Sequence, residues 1–371
     1  MYKDQTRFLL VCLFLFASMS GACTTGSVSE VQALKESDRV IPIDTIAIQE
    51  TDQDYIGDFG DMRVVTNPFR MYVPDFQRHH VAVLNRQGEI EQYIGERGDG
   101  PGELQSPATV ALAGDSIIVS QAQRRGYVVF DTTGQYRSHH GYPNEMTSLN
   151  AVFRIVETGQ YVLSATGSET VRGGANTADQ TTLAFVDSDF GIQKMFGRFP
   201  DLYLDGEYAL RENPKDVEAH LLVVGYAHTP NVQVYDMQGQ EPTLLETREL
   251  DHPAFKSPHK PIPLDLARSD MNRFVERLSQ VSLTTRTYIL PNKTVVQYFE
   301  NRSLAYYENE HDPAEREDYA ILADLKSDQQ EALSLPGPIL ARDDANRIYV
   351  ELDPTPDQRK IGVYKVAGWG D

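Results

Sequence analysis

One short unit recurs along the chain and restricts its fold more than any other feature. Each copy is an apolar run, then one or two polar residues and a turn, which in the clearest copies ends at glycine. Clear copies occupy residues 81–88, 127–134 and 232–239, and weaker copies occupy residues 183–189, 319–324 and 361–365. Their centres are 46, 56, 49, 87 and 42 residues apart, so only one interval is anomalous. Repeats of about 40–50 residues with several strands each are typical of a β-propeller.

The segments around these centres predict four strands in each unit. The first unit has predicted strands at 62–66, 70–73, 80–84 and 89–94, and the second at 109–112, 116–120, 127–130 and 135–138. The intervening turns contain Gly, Asp and Asn, which favour hairpins and therefore antiparallel pairing. We therefore predict an all-β fold, a six-bladed β-propeller of four-stranded antiparallel blades.

The last unit has three predicted strands, at 339–341, 347–351 and 360–366, and the chain then nearly ends. Residues 40–48 alternate apolar and polar residues but belong to no unit of their own. An open ring would leave sheet edges unpaired. We therefore predict that this N-terminal strand completes the last blade and closes the ring.

The long interval before the fifth unit predicts an insertion. Residues 251–263 are polar and rich in proline, which indicates a loop. Residues 264–280 carry Leu266, Met271, Phe274 and Leu278 at helical spacing without an intervening Gly or Pro. This pattern predicts a single inserted helix.

The densest group of glycines lies at residues 95–103, with the sequence GERGDGPGE. Glycine permits positive φ and close backbone approach. Pro101 fixes its own φ and pushes the backbone of Gly100 towards an extended conformation, so a tight turn is predicted. A phosphate-binding loop would need Lys-Ser/Thr and a helix next, whereas Pro107 follows shortly after. The stretch resembles the blade-to-blade crossover of six-bladed propellers of the NHL/TolB-like kind, in which a G-x-x-G-x-GPGE turn closes one blade and opens the next.

The N-terminus has the pattern of an export signal. Lys3 and Arg7 precede an unbroken apolar run at 8–17, which is too short to span a bilayer but suits a signal peptide. We predict a signal peptide at residues 1–22, a flexible polar tether at 23–38 and the propeller at 39–371.

Cys23 is the predicted site of lipid attachment. Ser20-Gly21-Ala22-Cys23 resembles a bacterial lipobox, although Ser20 stands where that motif usually has Leu. Ser20-x-Ala22 would also serve an ordinary signal peptidase, which would release a soluble exported protein. The resemblance implies a lipid-anchored protein of the bacterial cell envelope, either periplasmic or surface exposed. Since Cys12 leaves with the signal peptide, Cys23 is the single cysteine of the predicted mature chain, which excludes an internal disulfide.

The formal net charge of −20 bears on the partners of the chain. Nucleic acids and anionic membrane surfaces require clustered Lys and Arg, so we expect no nucleic-acid partner and membrane contact only through the lipid. The expected partner is a protein, a peptide or a carbohydrate.

Ligand-binding side chains are expected where loops meet around the channel, after the second strand of each unit. The paired histidines at 79–80 and 139–140 are not expected to form one metal site, because neighbouring strand residues point to opposite faces. The candidate ligand-binding residues are Asp75, Arg78, Gln121, Arg124, Arg125, Glu300 and Asp353.

No catalytic signature accompanies these candidates, and no catalytic residue, metal ligand or cofactor is assigned. The leading hypothesis is therefore an exported, non-enzymatic module that binds a ligand or a protein. The alternative is a metal-dependent hydrolase or lactonase, because propellers similar to the gluconolactonase type hold calcium or another divalent cation in the channel. A third hypothesis is a lyase that uses a channel histidine, for which His228 is the candidate.

Overall fold

The computed structural model describes most of the propeller region predicted from the sequence. The described residues are 37–121, 126–141, 152–154, 159–164, 181–187, 189–203, 213–239, 241–258, 262–263, 266–309, 311–352 and 359–370. In this part of the chain, 24 strands form six antiparallel sheets of four strands. The predicted six-bladed β-propeller is therefore confirmed.

The first three blades follow the chain in order, each with its strands numbered outward from the channel. Blade 1 contains β2 Arg63–Thr66, β3 Phe69–Asp75, β4 His80–Leu84 and β5 Ile90–Ile94. Blade 2 contains β6 Pro107–Ala113, β7 Ser116–Gln121, β8 Tyr127–Asp131 and β9 Tyr136–His140. Blade 3 contains β10 Val152–Arg154, β11 Tyr161–Ser164, β12 Thr181–Val186 and β13 Ile192–Arg198. A short 3-10 helix at Asp201–Tyr203 leads towards the next blade.

The remaining blades repeat this order, except that the last one takes its outer strand from the N-terminus. Blade 4 contains β14 Lys215–Glu218, β15 Leu221–Tyr226, β16 Thr229–Asp236 and β17 Thr243–Arg248. Blade 5 contains β18 Ser282–Ile289, β19 Thr294–Arg302, β20 Arg316–Asp324 and β21 Gln330–Leu335, with a 3-10 helix at Pro313–Glu315. Blade 6 contains β22 Ile339–Arg342, β23 Arg347–Leu352, β24 Lys360–Val366 and β1 Val40–Ala47.

The N-terminal strand closes the ring as the sequence predicted. β1 pairs antiparallel with β24 from Val40 opposite Val366 to Ala47 opposite Lys360. The backbone N–H of Gln49 then donates to Gly88 O of blade 1 at 2.8 Å, which ties the closing strand to the next sheet. The two ends of the propeller are therefore held together by a strand ladder whose register shifts once, between Pro42 and Asp44.

The apolar core is divided among the contacts between adjacent blades. Six buried clusters among the described residues correspond to the six pairs of neighbouring sheets. Central strands of a blade, such as β4, are buried along their whole length because both of their faces pack on a neighbouring blade. This two-sided burial explains why the recurring unit reads as a continuous apolar run as often as an alternating one.

The glycine-rich segment is a closed turn between blades 1 and 2. The Glu103 carboxylate accepts the backbone N–H of Gly100 at 2.6 Å, and Leu104 N–H donates to Glu96 O at 2.7 Å. A Cβ at Gly98 would lie 1.9 Å from Glu103 Oε2, so a larger residue there would displace the carboxylate that closes the turn. The turn places Leu104, which is fully buried, in the core between the two blades.

The insertion before blade 5 differs from the single helix that we predicted over 264–280. It contains two short helices, α1 Leu266–Ser269 and α2 Met271–Leu278. Asp270 separates them because its carboxylate accepts the backbone N–H of Arg273 at 3.1 Å and thereby caps the start of α2. Periodicity alone does not reveal such an internal cap. A further helix, α3 Leu304–Glu308, follows β19.

Candidate functional site

A cavity of about 530 Å³ lies at one end of the central channel. The antiparallel order puts the start of each innermost strand and the end of each second strand at the same end of a blade. Described residues from these positions in blades 1 to 5 line the cavity, together with residues of α2 and α3. We call it the channel-mouth cavity. Its volume is typical of sites that bind small molecules.

The rim of the channel-mouth cavity is apolar. Phe76 follows β3, Leu283 lies in β18, Phe274 and Leu278 lie in α2, and Tyr307 lies in α3. The two α2 residues are only half buried, although they form the apolar face of an amphipathic helix. They remain accessible because they border the cavity, which leaves an apolar surface available to a bound molecule.

One wall of the cavity is built around a buried lysine. Lys215 begins β14, is 4% exposed, and its Nζ donates to the Ser164 hydroxyl at the end of β11. Ser164 Oγ in turn donates to Asn213 Oδ1 at 2.6 Å, and the Asn213 amide donates to Thr182 O at 2.8 Å. Burial lowers the pKa of Lys215 to about 7. The amine is therefore held in place and is close to its titration point at neutral pH.

An acid shared by two arginines lies on the same surface. Asp61 accepts hydrogen bonds from both terminal nitrogens of Arg63, at 3.3 and 3.2 Å. Arg286 Nε lies 3.6 Å from Asp61 Oδ1, which is an ion-pair distance but too long for a hydrogen bond. Arg286 Nη1 donates to Thr285 O at 3.0 Å, whereas the buried Nε has no hydrogen-bond partner among the described residues. Arg286 thus brings positive charge and an unused donor to the cavity.

Strand β18 adds further buried polar groups. The hydroxyls of Thr284, Thr287 and Tyr288 are each buried without a hydrogen-bond partner in the part of the chain that the structure describes. All three residues line the channel-mouth cavity. Since an unpaired buried polar group costs about 1–3 kcal/mol, this strand is better suited to a cavity that holds a polar group than to a dry core.

The far end of the channel is crossed by an arginine. Arg342, at the end of β22 in blade 6, donates to Asp216 at 2.8 Å and to Glu218 at 2.6 Å in β14 of blade 4. Its second terminal nitrogen donates to Val217 O at 2.7 Å. The side chain therefore passes the inner strand of blade 5 and joins two blades that are not neighbours.

A second cavity of about 330 Å³ adjoins the first, and the two share Asp58, Thr285, Arg286 and Arg302. Glu300 lines it and is paired with Arg302 and, at 3.6 Å, with Arg316. The second cavity is thus lined by both acids and arginines, and Glu300 is already paired with two of the arginines. Glu300 is the predicted candidate that the structure places at a cavity.

Three other predicted candidates hold turns together. Asp75 is fully buried, and its carboxylate accepts the backbone N–H groups of Gly57 at 2.6 Å and Arg78 at 3.0 Å. The Arg78 guanidinium donates to the backbone carbonyls of Gln53 and Tyr55, in the segment between β1 and β2, and lies 4.2 Å from the centre of the Tyr55 ring. Gln121 is fully buried and accepts the backbone N–H of Gln105 at 2.6 Å.

Among the described candidates, Asp75, Arg78 and Gln121 line neither of the two cavities, whereas Glu300 lines the second. Asp75 and Arg78 share a turn of blade 1, whereas Gln121 belongs to blade 2 and Glu300 to blade 5. The sequence analysis did not identify the residues that line the channel-mouth cavity. Among them Lys215 could have been noticed, because it is a charged residue at the start of a strand. The remaining predicted residues, Arg124, Arg125, Asp353 and the lipid-attachment Cys23, lie outside the described residues.

Metal chemistry was the alternative hypothesis. Within the described ranges no group of three or more His, Cys, Asp or Glu side chains is placed to hold a metal ion. His228 is fully buried, its Nδ1 lies 3.0 Å from Ser282 O, and burial lowers its pKa. It does not occur among the described residues that line the channel-mouth cavity. None of the helices in the described part is long and apolar enough to cross a membrane.

Fold and site together define a six-bladed β-propeller with a cavity at one end of its channel. Residues 22–199 match a family model described as a 6-bladed beta-propeller. A search of curated proteins found no match.

The chain is similar to several solved structures at low identity. A protein described as exported, from Bacteroides fragilis, is 12% identical, with a TM-score of 0.59 and coverage of 87% of this chain and 94% of its own. A member of the duf4221 family from Bacteroides vulgatus is 10% identical, with a TM-score of 0.64 and coverage of 89% and 98%. A gluconolactonase from Xanthomonas campestris is 8% identical, with a TM-score of 0.48 and coverage of 88% and 97%. The first two similarities concern the fold alone.

Proposed function

We propose that the chain is an exported β-propeller, anchored in the cell envelope through a lipid on Cys23, that binds a small ligand in the channel-mouth cavity. One observation carries the binding role. The cavity combines an apolar rim with buried polar atoms of β18 for which the described residues supply no partner. A ligand with polar and apolar parts would satisfy both surfaces.

Retention of small molecules by matched variants tests the binding role. Leu278→Trp places an indole on the cavity face of α2, whereas Asn272→Trp places the same ring on the exposed face. The purified proteins are incubated with a cell-envelope extract, separated from unbound molecules and measured by native mass spectrometry. We expect the parent and Asn272→Trp to retain a small molecule that Leu278→Trp does not. Equal retention by all three proteins, or none by the parent, would rule out the cavity as the binding site.

Export and anchoring are supported by the N-terminal sequence. Residues 1–22 have the charge and apolar pattern of a signal peptide, and Cys23 follows small residues. The Bacteroides fragilis protein with the same fold is described as exported.

The lipid is tested by detergent partitioning of the protein and by mass spectrometry of its N-terminus. We expect the parent to enter the detergent phase and Cys23→Ala to remain in the aqueous phase. An unmodified parent N-terminus that begins at Cys23 would show cleavage by an ordinary signal peptidase and disprove the anchor.

A further inference from the structure

We infer that the ligand of the channel-mouth cavity is a small organic acid, whose carboxylate lies against Arg286 and Lys215 and whose apolar body lies against α2. This inference rests on the proposed function, since it names the chemical class of the ligand for that same site.

Positive groups line the cavity beside two carboxylates. Arg286 and Lys215 both line it, as do Asp58 and Asp61. The Asp61 carboxylate already accepts two hydrogen bonds from Arg63 and lies 3.6 Å from Arg286 Nε. Burial raises the pKa of Asp58, which disfavours its ionised form. A ligand carboxylate would therefore form charge-assisted contacts with Arg286 and Lys215.

The available donors match a carboxylate in number and kind. Arg286 Nε is buried and has no hydrogen-bond partner among the described residues. The hydroxyls of Thr284 and Thr287 can also donate, and they too are buried without a hydrogen-bond partner in the part of the chain that is described. Both threonines are at least nine-tenths buried and line the cavity. An ionised carboxylate has only acceptor atoms, so it suits a wall of donors better than an amide or an amine does.

The apolar residues place the rest of the ligand. Phe274 and Leu278 of α2 and Leu283 of β18 line the cavity on the side of the inserted helix. A molecule that consists of a charged head alone would leave this surface in contact with water. The cavity volume of about 530 Å³ is larger than a carboxylate requires and leaves room for an aromatic or aliphatic body.

Matched pairs of acids and amides test the charge of the ligand. The probes are phenylacetate, 4-phenylbutanoate, indole-3-acetate and octanoate, each compared with its primary amide by thermal shift and calorimetry on the purified protein. We expect at least one acid to bind about ten- to hundredfold more tightly than its amide, because the bonds to Arg286 and Lys215 are charge-assisted.

Variants assign that preference to residues. Arg286→Met is expected to remove the difference between acid and amide, and Arg286→Lys to restore part of it. Arg137→Met is the control, because Arg137 lies on the outer strand of blade 2 and pairs with Asp115 at the surface. The inference is overturned when no acid binds better than its amide, or when Arg286→Met keeps the full difference.

The same experiment separates this inference from the proposed function. If amides bind as tightly as acids and Leu278→Trp abolishes the binding of both, the cavity is a binding site but the ligand is not selected by charge. If no probe binds and the parent retains no small molecule from the envelope extract, both the inference and the proposed function fail.

Discussion

Truncation of a buried isoleucine in the closing strand tests how the ring is held together. Ile46 in β1 is 3% exposed and belongs to the core cluster between blades 6 and 1, which includes Met71 and Ile361. Ile43 lies in the same strand but is 47% exposed. Ile46→Ala and Ile43→Ala therefore remove the same atoms from one strand, once from the core and once from the surface.

The expected magnitudes follow from burial. Deleting the side chain of a buried isoleucine beyond Cβ lowers the free energy of unfolding by about 2–5 kcal/mol, because apolar contacts are lost and a cavity is left. Both substitutions also introduce alanine, which has a lower strand propensity than isoleucine, and this lowers the free energy of unfolding by at most about 1 kcal/mol. Ile43→Ala leaves no internal cavity. We therefore expect Ile46→Ala to be less stable than Ile43→Ala by about 2 kcal/mol or more.

The single tryptophan provides a probe beside the closing strand. Trp369 packs on the cluster between blades 5 and 6, and the Arg39 guanidinium lies 4.6 Å from its ring centre. Urea unfolding followed by tryptophan fluorescence and by circular dichroism reports on the closure and on all sheets, respectively. Equal midpoints for the two variants would refute the argument that β1 closes the ring by burying its apolar face.

Three further predictions concern the channel. Arg342→Met leaves Asp216 and Glu218 without their shared cation, so we expect a loss of about 3–5 kcal/mol in urea unfolding; a loss below about 1 kcal/mol would contradict the bridge. The lowered pKa of Lys215 means that between about pH 7 and its ordinary value the unfolded chain binds a proton that the folded protein does not, so stability rises with pH there. Lys215→Met lacks this pH dependence, so its free energy of unfolding relative to that of the parent should be about 2–3 kcal/mol higher at pH 6 than at pH 9. A difference between variant and parent that does not change with pH would contradict the lowered pKa of Lys215. Because the channel-mouth cavity presents Lys215 and Arg286, we expect EDTA and calcium to leave the melting temperature unchanged, and a stoichiometric metal ion found by elemental analysis would contradict this.

The blades could be predicted because their signals are local. Alternation, apolar runs and turn residues act over a few neighbours, and they located β4, β8 and β16 from the chain alone. The closing strand was predicted by a different argument, since the last unit lacked a strand and the N-terminus offered one.

The channel-mouth cavity could not be predicted because its residues come together only in the folded ring. Ser164, Lys215 and Arg286 lie in three different blades, and no spacing in the sequence links them. Strand β14, with the sequence KDVE, also lacks an apolar pattern, because its inward side chains meet charges in the channel and not a core. Asp75 and Gln121 illustrate the converse, since polar residues after a second strand can serve the backbone of a turn.

The guanidinium of Arg342 affects how a molecule can pass along the channel. It ties blade 6 to blade 4 at the far end of the channel, so a charged side chain fixed by several hydrogen bonds narrows the channel at that level. A molecule that enters from the side of α2 passes Phe274 and Leu278 and then faces this fixed positive charge at the far end of the channel.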